Sequence, residues 1–243
     1  MSFNFDQLQL IGQQLLYNYP QVYDFHIPDN LKIKYGTILD NLMKVVSGDH
    51  VRQAPWSNLN FLKTVGGEKL LSFAKFTNFQ DDLYSGLVAP EIKSDLLTET
   101  WNNGAGTLRS NCSQNIKYHV MNVEEVKFDF LNLKFSVHHD HSKWAVTSIS
   151  KQMSNQFNLK ISNLEYSSGQ DVKIACIGDI NRQEEQFKRS GGTVCFLNNE
   201  NVWNQYYNIV NEIEKCEKIK VDRIKIKQFP SKNSNEKIVL LGR

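Results

Sequence analysis

The chain has 243 residues, 40% of them hydrophobic, enough to bury a full core as one large domain or two small ones, which excludes a disordered chain. Its formal net charge is only +2, so a polyanionic partner would have to be met by a local basic surface and not by the field of the whole molecule. The opening MSFNFDQLQLIGQQLL lacks the basic start and apolar run of a signal peptide, and no later run is long enough to span a bilayer, so no membrane partner is expected.

In chain order, Leu31, Ile38, Leu42, Val45 and Val46 recur at helical spacing between Asp29 and Ser47, and Gly48 follows where a helix would stop. LLSFAKFTNF reads as a strand. Leu83 to Leu97 reads as a helix started by Asp81 or Asp82, with a kink at Pro90. From Val120 to Val137 the apolar residues alternate and change phase once, at Phe130/Leu131, which marks a bulge or a tight turn between strands. HSKWAVTSI and VKIACIGDI read as strands, the second preceded by the turn-like YSSGQD. Val202, Tyr206, Ile209, Ile213 and Cys216 return to helical spacing, with Asn198 or Asn199 as the cap. Residues 217–243 then carry eight Lys/Arg against three acidic residues and no core pattern, and read as a basic tail outside the main domain of residues 1–216.

Cys112, Cys176, Cys195 and Cys216 are too widely spaced for CxxC zinc ligation, which leaves free thiols or two disulfides. The sequon Asn111-Cys112-Ser113 leans towards a secretory product. Secretory-looking cysteines without a signal peptide point to a chain that begins partway through a longer precursor.

The chemistry concentrates in VHHDHSKW. On a strand, His141 and Lys143 face one side and Ser142 the other. An imidazole can attack phosphorus or pass a proton while an ammonium two residues on neutralises a non-bridging oxygen. The next strand ends in Gly178-Asp179-Ile180-Asn181, where glycine permits close backbone approach and asparagine can donate to the same oxygens. Together these resemble the HxK and GSxN elements of the phospholipase D superfamily. With LIGQQLLYNYPQVYDF, FAKFTNFQDDLYSG, TLRSNCS, DHSKWAV and CIGDINRQEEQFKRSGGTVC in order, the stretch from Leu10 to Cys216 resembles deoxyribonuclease II.

That resemblance implies a phospholipase D-like α-β-α sandwich with a mixed central sheet, and a lysosomal or secreted acid endonuclease that cuts DNA without metal or other cofactor, leaving a 3'-phosphate. His141 carries over as a catalytic histidine, Lys143 as the phosphate ligand and Asn181 as its helper. The family's disulfides carry over as Cys112 with Cys216 and Cys176 with Cys195. A histidine nucleophile must be neutral and a histidine acid protonated, so such a pair works near or below the intrinsic imidazole value of about 6.5.

The chain departs from the family in one large respect. Family members resemble two half-domains, each giving an HxK to a shared site, and this chain matches only the second. His26, His50, His119, His138 and His139 have no lysine two residues on, and His50-Val51-Arg52 is the nearest miss. Three explanations are consistent with that: a homodimer sharing two copies of His141, a product that folds and binds without cutting, or an incomplete reading of a longer gene. Two smaller departures are a longer link at Lys151 to Gln170 and Ala145 where relatives have cysteine.

Simpler readings compete at several positions. SVHHDH nearly spells a metallo-hydrolase motif, but Ser136 stands at the first ligand position, so no metal site is expected. His138 and His139 read as solvent-facing, Asp179 as a turn residue bonded to its own backbone, and Trp144 as core. Arg182, Lys188 and Arg189 can contact DNA phosphates, although Glu184 and Glu185 among them fit a solvated charged face equally well.

Overall fold

The computed structural model describes residues 1–113, 115–148 and 172–215, and the backbone of 157–161 and 164–168. In chain order the strands are β1 (Ser57–Lys63), β2 (Lys69–Lys75), β3 (Leu96–Glu99), β4 (Val120–Phe128), β5 (Leu133–Ser136), β6 (Trp144–Thr147), β7 (Phe157–Ile161), β8 (Leu164–Ser168), β9 (Ile174–Gly178), β10 (Gly191–Leu197) and β11 (Val210–Ile213). The α-helices are α1 (Phe5–Asn18), α2 (Asp29–Tyr35), α3 (Asp40–Val46), α4 (Ala89–Ile92) and α5 (Glu200–Tyr207).

One sheet runs β1-β2-β10-β9-β6-β3-β4-β11, with β5 paired to β4 off that path, and β7 and β8 form a separate hairpin. β3 and β4 are parallel while β6 is antiparallel to both of its neighbours, so the sheet is mixed. The core is split by this sheet. On one face Leu83, Tyr84, Leu87, Val88 and Ile92 pack on Leu71, Phe73, Cys176 and Cys195. On the other, Trp203 of α5 packs with Val146, Ala175 and Trp144, while Tyr17 of α1 covers Ala74. Helical layers on both faces make the α-β-α sandwich that the resemblance implied. Burying apolar area on both sides of a sheet contributes about 25 cal/mol per Å² removed from water, and it explains the apolar runs in β2 and β9.

The alternation from Val120 to Val137 resolves as β4 and β5 joined by a tight 3-10 turn at Asp129–Leu131, closed by Asn132 in the left-handed region at φ 49°. Elsewhere the elements are shorter than their periodicity implies. The helix expected from Asp29 to Ser47 is two helices, broken where Gly36 and the β-branched Thr37 interrupt a run of good helix formers, and Leu39 is buried at the break. Gly48 stands beyond the second helix at φ 80°, as expected of a stop.

The helix expected from Leu83 to Leu97 ends at Ile92. A π-turn, Tyr84–Val88, runs without a break into α4, and Pro90 falls where the helix changes from π to α. Asp82 starts the segment by accepting from the Ser85 amide at 2.8 Å. Leu96 and Leu97 belong instead to β3. The last expected helix stops at Tyr207. Asn199 caps it, accepting from the Val202 amide at 3.1 Å, and the β-branched residues beyond Asn208 form β11 against β4.

LLSFAKFTNF is a strand only as far as Lys75, and Thr77–Phe79 is a 3-10 turn. The long link is described at β7 and β8 alone, and YSSGQD is described only to Ser168. The basic tail and its boundary at 216/217 lie outside the described residues, and no helix among those described is long and apolar enough to cross a membrane.

Candidate active site

Two turns meet at one end of the central strands. The first joins β9 to β10. Gly178 donates its amide to the Lys143 carbonyl at 2.8 Å, stitching this turn to the residue before β6. A side chain at Gly178 would force its neighbours to shift, because an added Cβ would stand 2.9 Å from the Tyr84 hydroxyl and 3.1 Å from the Gly192 carbonyl. Asp179 accepts from the Gly192 amide at 2.8 Å, closing the turn. Desolvation by the surrounding protein raises the Asp179 pKa, against the hydrogen bonds from Gly192 and its own amide and the charges of Lys75 and Lys143. Asn181 follows, with a buried Oδ1 that has no partner in the described structure.

Arg182 is not on the surface. It is 1% exposed, and its guanidinium meets Asp82 at 3.3 Å, the side-chain oxygen of Asn122 and the carbonyl of Arg109. An arginine so enclosed holds the backbone beside Asn181 and does not reach a DNA phosphate, which corrects its expected role. Asn122 and the Ser110 amide both donate to Glu214, which also pairs with Arg109 at 2.6 Å. Lys188 and Arg189 are exposed, as are Glu184 and Glu185.

Beneath them lies Lys75, wholly buried at the end of β2. Its Nζ donates to the carbonyls of Gln186, Phe187 and Arg189 at 2.8, 3.1 and 2.6 Å. Three acceptors use all three protons of an ammonium. Burial draws its pKa down to about 8, opposed by Asp82, Asp179 and Asp81, so the ammonium persists at acid pH. Cys176 and Cys195 stand opposite each other on β9 and β10 and form a disulfide at the base of the turn. Cys112 is disulfide-bonded as well, and Cys216, the partner that the resemblance gives it, lies outside the described residues.

The second turn is Asp140 to Lys143. The strand expected over HSKWAVTSI begins only at Trp144. Asp140 Oδ1 accepts from the Ser142 amide at 2.8 Å, an Asx turn that bends the chain before it enters β6, so His141 and Lys143 sit on a turn and not on a regular strand. His141 is exposed and stacks on Trp101, ring centres 4.2 Å apart and planes 30° apart. Trp101 is itself pinned by its Nε1 donating to the His138 carbonyl at 3.0 Å. Lys143 is half-buried and its Nζ donates to the His141 carbonyl. His138 and His139 are exposed on the 3-10 turn after β5, and Trp144 is buried, both as expected.

Sequence reasoning missed Lys75, Glu99, Trp101 and the buried role of Arg182. Glu99, at the end of β3, is wholly buried and meets the Ser142 hydroxyl at 2.6 Å. A cavity of about 400 Å³ near His138 is lined by Glu124, Glu125, Glu212 and Glu214, a wall that disfavours a polyanion. Among the described residues no group of three or more His, Cys, Asp or Glu side chains is arranged to hold a metal.

An α-β-α sandwich that sets a His-Ser-Lys turn against a Gly-Asp-Ile-Asn turn at the ends of its central strands has the layout of the phospholipase D-like class. Within it, the sequence model of the Deoxyribonuclease II family matches residues 1–216, and the chain belongs to that family. It is 39% identical over 220 residues to Plancitoxin-1 of Acanthaster planci, covering 89% of this chain and 52% of that protein. It is 35% identical over 219 residues to Deoxyribonuclease-2-alpha of Bos taurus, covering 90% and 52%, and 30% identical over 216 residues to Deoxyribonuclease-2-beta of Homo sapiens, covering 89% and 52%. The chain therefore spans about half the length of these relatives.

Proposed function

We propose that this chain is a deoxyribonuclease II-like acid endonuclease that hydrolyses DNA phosphodiester bonds without metal and leaves 3'-phosphate ends. His141 acts at phosphorus as nucleophile or proton carrier. Lys143 and Asn181 hold the non-bridging oxygens, while Lys188 and Arg189 meet the flanking backbone. A second His141, from another copy of the chain, completes the acid-base pair, and the protein works in a lysosomal or secreted setting.

The observation that carries this reading is the Gly178 to Lys143 hydrogen bond, which ties the His-Ser-Lys turn to the turn bearing Asn181 in a chain of this family.

The test is plasmid nicking at roughly pH 5 with a chelator present, on wild type and His141→Ala at a measured oligomeric state. Metal-independent nicking that vanishes on substitution, with 3'-phosphate at the nick, supports the proposal. A dimer accounts for the second histidine. The single HxK within these 243 residues is also compatible with one other reading, a half-domain that binds DNA or a protein partner without cutting. Absence of nicking by folded, disulfide-bonded protein would select it.

A further inference from the structure

Ser142, the residue between His141 and Lys143, makes contacts that one hydroxyl cannot supply alone. Its Oγ lies 2.6 Å from Glu99 Oε2 and 2.9 Å from Asp140 Oδ2. A hydroxyl has one proton to donate. With an acceptor-only carboxylate on each side, one contact would be oxygen against oxygen with nothing between. The second proton must come from one of the two acids.

Their surroundings decide which. Asp140 reaches the surface and already accepts from the Ser142 amide, a bond suited to a carboxylate. Glu99 is wholly buried in register with Trp144, its Oε1 lacks a hydrogen-bond partner, and no ion pair reaches it among the described residues. A charge there would be desolvated with no ion pair among the described residues to compensate it.

We propose that Glu99 is a positioning residue for the His141-Ser142-Lys143 turn, a carboxylic acid that donates its proton to Ser142 Oγ so that Ser142 donates onward to Asp140. The chain of two hydrogen bonds latches the turn to β3 from the side of the sheet that Trp144 occupies. Its bearing on catalysis rests on the HxK reading above. The existence of the latch does not.

The charged groups about Glu99 are Asp140 and Lys143 on the turn, while Tyr84 packs on the opposite face of the sheet. Burial pushes its pKa up to about 8; the Ser142 hydrogen bond opposes this, Asp140 adds to it and Lys143 opposes it. Tyr84 is held protonated, its pKa raised by burial. Because the folded value lies above the ordinary 4.5, Glu99's contribution to stability is complete below about pH 4.5 and is lost as pH rises through about 8. The latch is therefore closed under acid conditions and opens in mild alkali.

The experiment compares wild type, Glu99→Gln, Glu99→Ala and Ser142→Ala in the full chain. Infrared spectroscopy at neutral pH should show a protonated-carboxyl band that is lost in Glu99→Gln and shifted in Ser142→Ala. Denaturation midpoints should fall between about pH 4.5 and 8 in wild type and lose that slope in Glu99→Gln. In nicking assays Glu99→Ala should lower kcat by on the order of ten- to a hundred-fold with KM little changed, and the amide donor of Glu99→Gln should restore most of it. No protonated-carboxyl band, or a slope unaltered in Glu99→Gln, overturns the latch. Nicking that survives His141→Ala overturns the functional reading instead and leaves the infrared and stability results to decide the latch alone. Ser142→Ala, altered at an exposed site, keeps the spectroscopic test open if the buried variants do not fold.

Discussion

The turn from Gly178 to Gly192 is tied to the core by a disulfide, a buried lysine and a buried arginine. The turn from Asp140 to Lys143 is held by one Asx turn, one buried acid and one ring stack. Both border the same site, yet the first consists of backbone fixed by charges taken out of water and the second of exposed side chains on a short tether. On the proposed function the first turn cradles phosphate, and such a group must not move when charge arrives, because preorganisation is what makes its dipoles effective. A histidine that attacks or passes a proton needs orientation but also access to solvent and substrate. The contrast predicts that damage to the first turn is read mainly as lost stability and damage to the second mainly as lost activity.

The largest effect expected is from Arg182→Met. Removing the guanidinium strands Asp82 and Asn122 in the core, and breaking a buried pair from one side costs about 3–5 kcal/mol. Chemical denaturation at acid pH should show that loss, with activity falling only as the folded fraction falls. The comparison breaks if Arg182→Met is fully stable yet inactive, since Arg182 would then be a ligand for substrate. Next is the double substitution Cys176→Ala with Cys195→Ala, which reopens a loop spanning 19 residues and should cost about 3 kcal/mol. Gly178→Ala should follow at about 1–3 kcal/mol, because its Cβ meets the Gly192 backbone oxygen of β10 at 3.1 Å and the hydroxyl of the fully buried Tyr84 at 2.9 Å.

The same two regions show what could be read without coordinates. The alternation in β4 and β5 was legible because strand residues two apart share a face, and the Asn199 cap was legible because its partner is three residues away. The His-Ser-Lys and Gly-Asp-Ile-Asn turns were found from local spacing and family resemblance. What held them was not. Arg182 meets Asp82 across 100 residues and Asn122 across 60, and Ser142 meets Glu99 across 43. An arginine in a charge-rich run looks solvated when its partners lie so far along the chain. Leu96 and Leu97 satisfy helical and strand periods alike, so the end of α4 and the start of β3 became visible only once strand pairing had placed them. Ile209 and Ile213 misled in the same way, with β-branching the weak hint that the helical pattern had ended.

The smallest stability effect, and the one that sharpens the contrast most, belongs to Asp140→Ala. Asp140 accepts from the Ser142 amide at 2.8 Å and from its hydroxyl at 2.9 Å, but it is half-buried, so water can replace much of what is lost. Net losses for such bonds are about 1 kcal/mol, which in a chain of this size lowers Tm by roughly 2–4 °C. Activity should fall further, because the Asx turn sets the direction in which His141 leaves the backbone, and its stacking on Trp101 depends on that direction. Asp140→Asn keeps the side-chain oxygen that an Asx turn requires, so it should recover both stability and most of the rate. If Asp140→Ala proves as destabilising as Arg182→Met, the second turn is as deeply built into the core as the first. The division between a rigidly fixed Gly178–Gly192 turn and a lightly held His141 turn would then fail.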